Sequence, residues 1–143
     1  MLVIEVSMDI IWFHRVCSLN QVRKINLKRE GFIMIEADLR AARIGGDEWQ
    51  VFMAHDPIAV FQSSSEYSES TPTFINWINE LATHMGDREY GIKLDFKETR
   101  AALLCFEQIS SALNALGSQR PRKIWFNSDI KCLPFILTKV KAS

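Results

Sequence analysis

Hydrophobic and polar positions change period several times along this chain, and each change marks an element. Residues 8–13 alternate, with Ile10, Trp12 and His14 on one face and Ile11 and Phe13 on the other, which predicts a strand that delivers His14 and Arg15 to its carboxyl end. Ser18 with Gln21 three residues on matches a capping box, and Leu19, Val22 and Ile25 follow at helical spacing. Residues 31–40, GFIMIEADLR, begin as a short β-branched apolar run that predicts a buried strand. On it Met34, Glu36 and Asp38 share one face and Ile33, Ile35 and Ala37 the other. A buried carboxylate must be paired, hydrogen-bonded or metal-bound, so Glu36 and Asp38 mark either a functional site or a solvated strand exit.

The gap from Asp38 to the next apolar run, VFMAH, is shorter than the dozen or more residues a parallel crossover needs. It also contains Gly45-Gly46. A hairpin is therefore expected, and antiparallel pairing brings His55 back to the level of Glu36 and Asp38. Residues 61–70, FQSSSEYSES, read as an exposed loop. Thr71-Pro72 is the expected cap and first-turn pair of a helix whose core face is Phe74, Trp77, Ile78, Leu81 and Met85, ended by Gly86. His84 near its end reads as a surface residue or one that meets the dipole at the helix C-terminus. GIKLDFK, residues 91–97, alternates Ile92, Leu94 and Phe96 against Lys93, Asp95 and Lys97. Residues 98–116 give a helix with Ala102, Cys105, Phe106, Ile109, Leu113 and Leu116 in a stripe and Gly117 beyond it, and residues 123–127 give a last strand leading to Asn127 and Asp129.

Strand, polar strand end and helix recur, with one hairpin taking the place of the second helix, and this order predicts an α/β fold with a parallel sheet. Reactive groups of such folds gather at the carboxyl ends of the strands. Those ends here carry His14 and Arg15, Glu36 and Asp38, His55 and Asp56, Lys93, Asp95 and Lys97, and Asn127 and Asp129.

Composition narrows the chemistry. The chain has 143 residues with 17 basic and 17 acidic side chains and 48% hydrophobic residues, as expected for one globular domain. Balanced charge without a basic stripe gives no reason to expect nucleic acid as a partner. Cys17, Cys105 and Cys132 are scattered and odd in number, which points to a reducing compartment. The opening MLVIEVSMDIIWF is interrupted by Glu5 and Asp9 and lacks signal-peptide features, so a cytoplasmic chain without a transmembrane segment is expected. Glu36, Asp38 and Asp95 are hard oxygen donors suited to Mg²⁺ or Ca²⁺. Two histidines beside such an ion suit general acid and base work, and Arg15 and Lys97 suit a phosphate, which makes phosphodiester cleavage the fitting reaction. There is no HExxH zinc pair, no GxSxG elbow and no Walker or GxGxxG loop, although His14, His55 and one carboxylate could imitate a His₂-carboxylate zinc site. Nothing in the sequence orients Cys17 as a nucleophile, and packing is its expected role.

The segments IIWFHRV, MIEADLR, MAHDP, GIKLDFKE and IWFNSDI, in that order, resemble the menorin family, whose domain belongs to the phospholipase-C-like phosphodiesterase barrels. They also resemble the glycerophosphodiester phosphodiesterase pattern, His14-Arg15 its HR, Glu36 and Asp38 its E-x-D, His55-Asp56 its HD, and Asp95 and Lys97 its E-x-K. The resemblance, over residues 10–130, implies a (β/α)₈-type barrel, a divalent ion on Glu36, Asp38 and Asp95, and His14 and His55 as the acid and base. It implies either a metal-dependent phosphodiesterase, hydrolase or lyase, acting on phosphodiester lipids, glycerophosphodiesters or related small molecules, or a non-catalytic binding or adhesion module, since menorin-type proteins are also known as extracellular patterning factors. A full barrel needs about 250 residues. Only five strands are legible, and residues 131–143 depart from the family, so the chain is expected to be a single incomplete barrel domain, inactive by truncation and prone to pair through its open sheet edges with itself or a protein partner.

Overall fold

The computed structural model describes residues 9–43, 48–58 and 69–128. Its strands are β1 (Ile10–Phe13), β2 (Phe32–Arg43), β3 (Trp49–Met53), β4 (Tyr90–Phe96) and β5 (Lys123–Ser128), and its helices are α1 (Leu19–Arg23), α2 (Phe74–Met85) and α3 (Thr99–Leu116). The Gly45-Gly46 turn, the Ser-rich loop up to residue 68, Asp129 and Cys132 lie outside the described residues.

One five-stranded sheet runs in the order β1-β2-β4-β5, parallel throughout, with β3 antiparallel to β2. The expected α/β class and the hairpin are both present. The hairpin is added ahead of the second helix rather than taking its place, because α2 still connects the hairpin to β4. β2 is much longer than its apolar run suggested, and its length lets two strands share one edge. β1 pairs with Phe32 to Ile35 and β3 with Leu39 to Arg43, while β4 covers the other edge. Between them, the Val16 and Ala54 amides donate to the Glu36 and Asp38 carbonyls at 2.9 Å each, so the edge of β2 is satisfied across the junction.

All three helices pack on one face of the sheet. The core there joins Ile33, Ile35, Ala37 and Leu39 of β2 and Ile92, Leu94 and Phe96 of β4 to Val22 of α1, to Phe74, Trp77, Ile78, Leu81 and Met85 of α2, and to Ala101, Ala102 and Cys105 of α3. Each fully buried large side chain contributes about 1.5–3 kcal/mol, which is what fixes strand register against a one-residue slip. The helix boundaries follow local chemistry. Ser18 and Gln21 form the expected capping box of α1. For α2 the cap is Thr73, whose side chain accepts from the Asn76 amide, and not Thr71. The reason is that the chain is still extended there, with Thr73 bridged to Phe52 and the Pro72 carbonyl accepting from the Met53 amide at 2.9 Å. Gly86 and Gly117 end α2 and α3 with φ of 59° and 58°. The α3 cap residue Glu98 is turned away from its helix, and its carboxylate accepts from the Ala41 amide of β2.

The opposite face bears no helix among the described residues and carries Trp12 and His14, Met34, Glu36 and Asp38, Lys93 and Asp95, and Trp125 and Asn127. Gly91 makes this face possible at its base, because a Cβ there would lie 2.3 Å from Met34 Sδ. β1 and β5 stand three strand spacings apart, about 14 Å in a flat sheet. Even so, the Trp12 and Trp125 rings meet with centroids 5.8 Å apart over the strands between them. This face is therefore the one toward which the outer strands lean. No helix among the described residues is long and apolar enough to cross a membrane.

Candidate functional site

The meeting of β1 and β3 on one edge of β2 is what assembles the site. β1 runs toward the junction and ends at Phe13, β3 runs toward it from the other side and ends at Met53, and the two histidines follow directly. His14 and His55 thus come from strands of opposite direction to the same level of β2, where Glu36 and Asp38 lie. Extending the observed pairing puts His55 at the level of Ala37, one residue from the expected register and so on the alternation of the helix-packed face; the strand ends at Met53, and His55 lines a cavity with Cys17, Asp56 and Thr71.

Both rings are anchored. His14 Nδ1 is 3.2 Å from Glu36 Oε2, and His55 Nδ1 is 3.0 Å from Asp56 Oδ1. An ionised carboxylate only accepts, so each Nδ1 carries the proton and each Nε2 is the nitrogen available for proton transfer. The Arg40 side chain also donates to the His55 carbonyl at 3.0 Å, fixing the backbone of that turn. Behind His14, Trp77 of α2 donates through Nε1 to the Val16 carbonyl at 2.8 Å, so the strand end is tied to the core. Arg15, between them, is exposed and holds φ 53°, a left-handed conformation uncommon for a long side chain.

The three carboxylates stand at neighbouring positions of one face. Asp38 and Asp95 are register partners, and Glu36 is the partner of Lys93. Lys97 Nζ lies 3.3 Å from Asp38 Oδ1 and 2.7 Å from Asp95 Oδ2, so one ammonium is shared by two carboxylates. Lys93 Nζ is 3.4 Å from Glu36 Oε2, and Asn127 Nδ2 is 3.3 Å from Asp95 Oδ1. Asp38 is 1% exposed and is the one charged residue among the buried side chains described. Burial raises its carboxyl above the ordinary range, against the lowering pull of Lys97. The Lys97 ammonium is raised in turn, first by its hydrogen bond to Asp95.

As donors, Glu36, Asp38 and Asp95 suit a hard divalent cation, and the shared lysine demonstrates that Asp38 and Asp95 can hold one positive charge between them. As the side chains stand, no three His, Cys, Asp or Glu among the described residues gather into a ready ion cage. Lys97 fills the gap between two of the three, and Glu36 is turned to His14 and Lys93.

Sequence reasoning placed these groups on one face and expected Cys17 to pack, but passed over two neighbours, Trp12 and Trp125. Cys17 lies with Sγ 4.0 Å from Asp38 Oδ2 and lines a cavity of about 340 Å³ with His55, Asp56 and Thr71. Burial pushes its thiol up to about 11, so it is a neutral wall and not a thiolate. Trp12 stacks on His14 at 5.9 Å and 12°, and Trp125 closes on Trp12 from the far strand. The alternation that put Trp12 beside His14 and Trp125 beside Asn127 was the available signal for both. His84, read as a surface or helix-dipole residue, has a specific partner, with Nε2 3.0 Å from the Ile25 carbonyl oxygen.

A family model described as the menorin N-terminal domain matches residues 7–142, nearly the whole chain and past the point where the motif likeness ends. No curated protein and no solved structure gives a match.

Proposed function

The chain belongs to the menorin family, and from that premise we propose that its strand-end face is a phosphodiester site that works with a divalent cation, Mg²⁺ or Ca²⁺. The observation that carries the reading is the abutment of β1 and β3, which puts two carboxylate-anchored histidines beside three carboxylates and two lysines. Glu36, Asp38 and Asp95 are the residues that would hold the cation. When bound, that ion would offset negative charge developing on the phosphoryl oxygens. Lys97, leaving Asp38 and Asp95, and Arg15, at the strand end, would bind the phosphate oxygens. The Nε2 of one histidine accepts the proton of the attacking hydroxyl or water, and the Nε2 of the other returns a proton to the leaving oxygen. Lys93 pairs with Glu36 beside His14, and Asn127 holds Asp95. The same reading takes the inward-leaning sheet, with helices on one side and charge on the other, as an arc of a (β/α)₈-type barrel.

The test is hydrolysis of glycerophosphodiesters and lysophospholipids with Mg²⁺ or Ca²⁺ present or chelated. Ion-dependent turnover that falls by about 10²-fold or more in His14→Ala is expected. Absence of turnover with every ion and substrate overturns catalysis. A second reading, a non-catalytic binding or adhesion domain, draws on the compensation of all three carboxylates by the chain's own lysines. Under it a partner captured by the domain stays bound when His14 and His55 are both replaced by alanine, and loss of that partner argues against it.

A further inference from the structure

The two tryptophans of the charged face have no place in the proton-transfer scheme. Trp12 and Trp125 meet at 52° and 5.8 Å, forming a corner whose outer ring is 47% exposed. A cation already rests against the Trp12 wall of this corner. Lys93 Nζ lies 6.0 Å from the Trp12 ring centroid and 3.4 Å from Glu36 Oε2. The negative face of an indole and a carboxylate together form a surface that holds positive charge. Lys93 is partly exposed and rooted beside Trp125 in register, so its long stem can carry the ammonium out to water and leave the place to another cation.

The walls of the corner favour one kind of cation. An ammonium has three N–H groups to satisfy, and among the described residues the Glu36 carboxylate is the one acceptor that meets Lys93. The remaining walls are aromatic, and they suit a cation without N–H groups.

We propose that the Trp12–Trp125 corner, with Glu36, is a subsite for a quaternary ammonium group, which Lys93 occupies until the ligand displaces it. For the rest of the ligand the inference rests on the phosphodiester reading. Glu36 and Asp38 are two residues apart, about 6.6 Å along the strand. The two-carbon bridge of a choline phosphate covers most of that step, setting its phosphate toward Lys97 and its trimethylammonium against the indoles.

Choline chloride and tetramethylammonium chloride, which contain no phosphate, test the subsite by intrinsic tryptophan fluorescence, with sodium chloride as the control for ionic strength. Saturable quenching is expected, weakened about fivefold or more in Trp125→Ala, a change at an exposed ring that leaves the core intact, and tightened by a similar factor in Lys93→Ala. A response matched by sodium chloride, unchanged affinity in Trp125→Ala, or weaker binding in Lys93→Ala overturns the proposal. A parallel titration with glycerol phosphate separates the two readings. Choline binding without glycerol phosphate binding upholds the subsite and removes the phosphodiester reading, and the opposite pattern removes the subsite alone.

Discussion

Lys97→Met tests how the charged face is held together. In the folded chain Lys97 Nζ is 3.3 Å from Asp38 Oδ1 and 2.7 Å from Asp95 Oδ2. At an effective dielectric of about 20, each contact has a gross Coulomb attraction on the order of 5 kcal/mol. The net is far smaller, because the Lys97 side chain is 26% exposed and water screens it. The dominant effect of the substitution is on Asp38, whose side chain is 2% exposed and would be left buried without its cation. Removing one member of a fully buried pair costs about 3–5 kcal/mol. Discounted for the exposure of the lysine, the expected loss at pH 7 is about 2 kcal/mol.

The pH dependence separates this cause from a packing defect. Burial already raises the Asp38 pKa above its ordinary 3.8, and Lys97 is the main group opposing the rise. A group whose folded pKa is raised favours folding when protonated, so its contribution is full below the unfolded value and is lost as pH climbs through the folded one. In Lys97→Met the folded pKa climbs further. The variant's deficit should therefore be greatest at neutral pH and shrink as pH falls toward 3.8. Urea unfolding of both proteins at several pH values between neutrality and that limit, followed by tryptophan fluorescence, measures it. A deficit that is absent at pH 7, or equally large throughout, refutes the reasoning. On the metal reading, added Mg²⁺ restores part of the deficit, because the ion replaces the lost charge.

Gly91→Ala places a methyl 2.3 Å from Met34 Sδ and 3.2 Å from Phe32 Cε1, and the overpacking should cost about 1–3 kcal/mol in urea unfolding. Trp77→Phe leaves the Val16 carbonyl without its 2.8 Å donor in a buried setting and should cost about 1–3 kcal/mol, with faster amide exchange at Val16 than at Ile33. Cys17, with its thiol pushed up to about 11, should react with iodoacetamide at pH 8 far more slowly than glutathione does, and at the full rate once the chain is unfolded, as read by mass spectrometry of the modified peptide.

What the sequence made legible, and what it hid, divides along the range of the interactions. Local periodicity sufficed for the faces. Ile33 and Ile35 against Glu36 and Asp38, and Ile92 and Leu94 against Lys93 and Asp95, follow from alternation alone, because a side chain's face depends only on its own strand. Caps were readable where the partner is three residues away, as for Ser18 and Gln21. The α2 cap was missed because the Phe52–Thr73 bridge, a contact made across the fold, keeps the chain extended past Thr71. The length of β2 was hidden for the same reason. The strand stretch was read to Arg40 only, and the strand runs on through Arg43 because β3 returns to pair with Leu39 to Arg43.

That hidden length also changes the sense of the candidate site. In a parallel sheet with one strand per edge, His14 and His55 would be two strand ends among several, brought near each other only by the curl of the sheet. Here they come from two strands that divide a single edge of β2, and the Val16 and Ala54 amides clamp the backbone of Glu36 and Asp38 between them at 2.9 Å. The backbone beside each histidine is therefore held by hydrogen bonds to residues two apart on one strand. That hold does not depend on how far the sheet curls or on what packs against its outer edges. The lysine pairings do depend on the neighbouring strand, since Lys93 reaches Glu36 from β4 and Lys97 reaches Asp38 from just beyond its end. A disturbance at β5 should accordingly loosen Asn127 and Trp125 first, the Lys97–Asp95 pair next, and the histidine pair last, an order that hydrogen exchange at the amides of Asn127, Lys97 and Val16 can read directly.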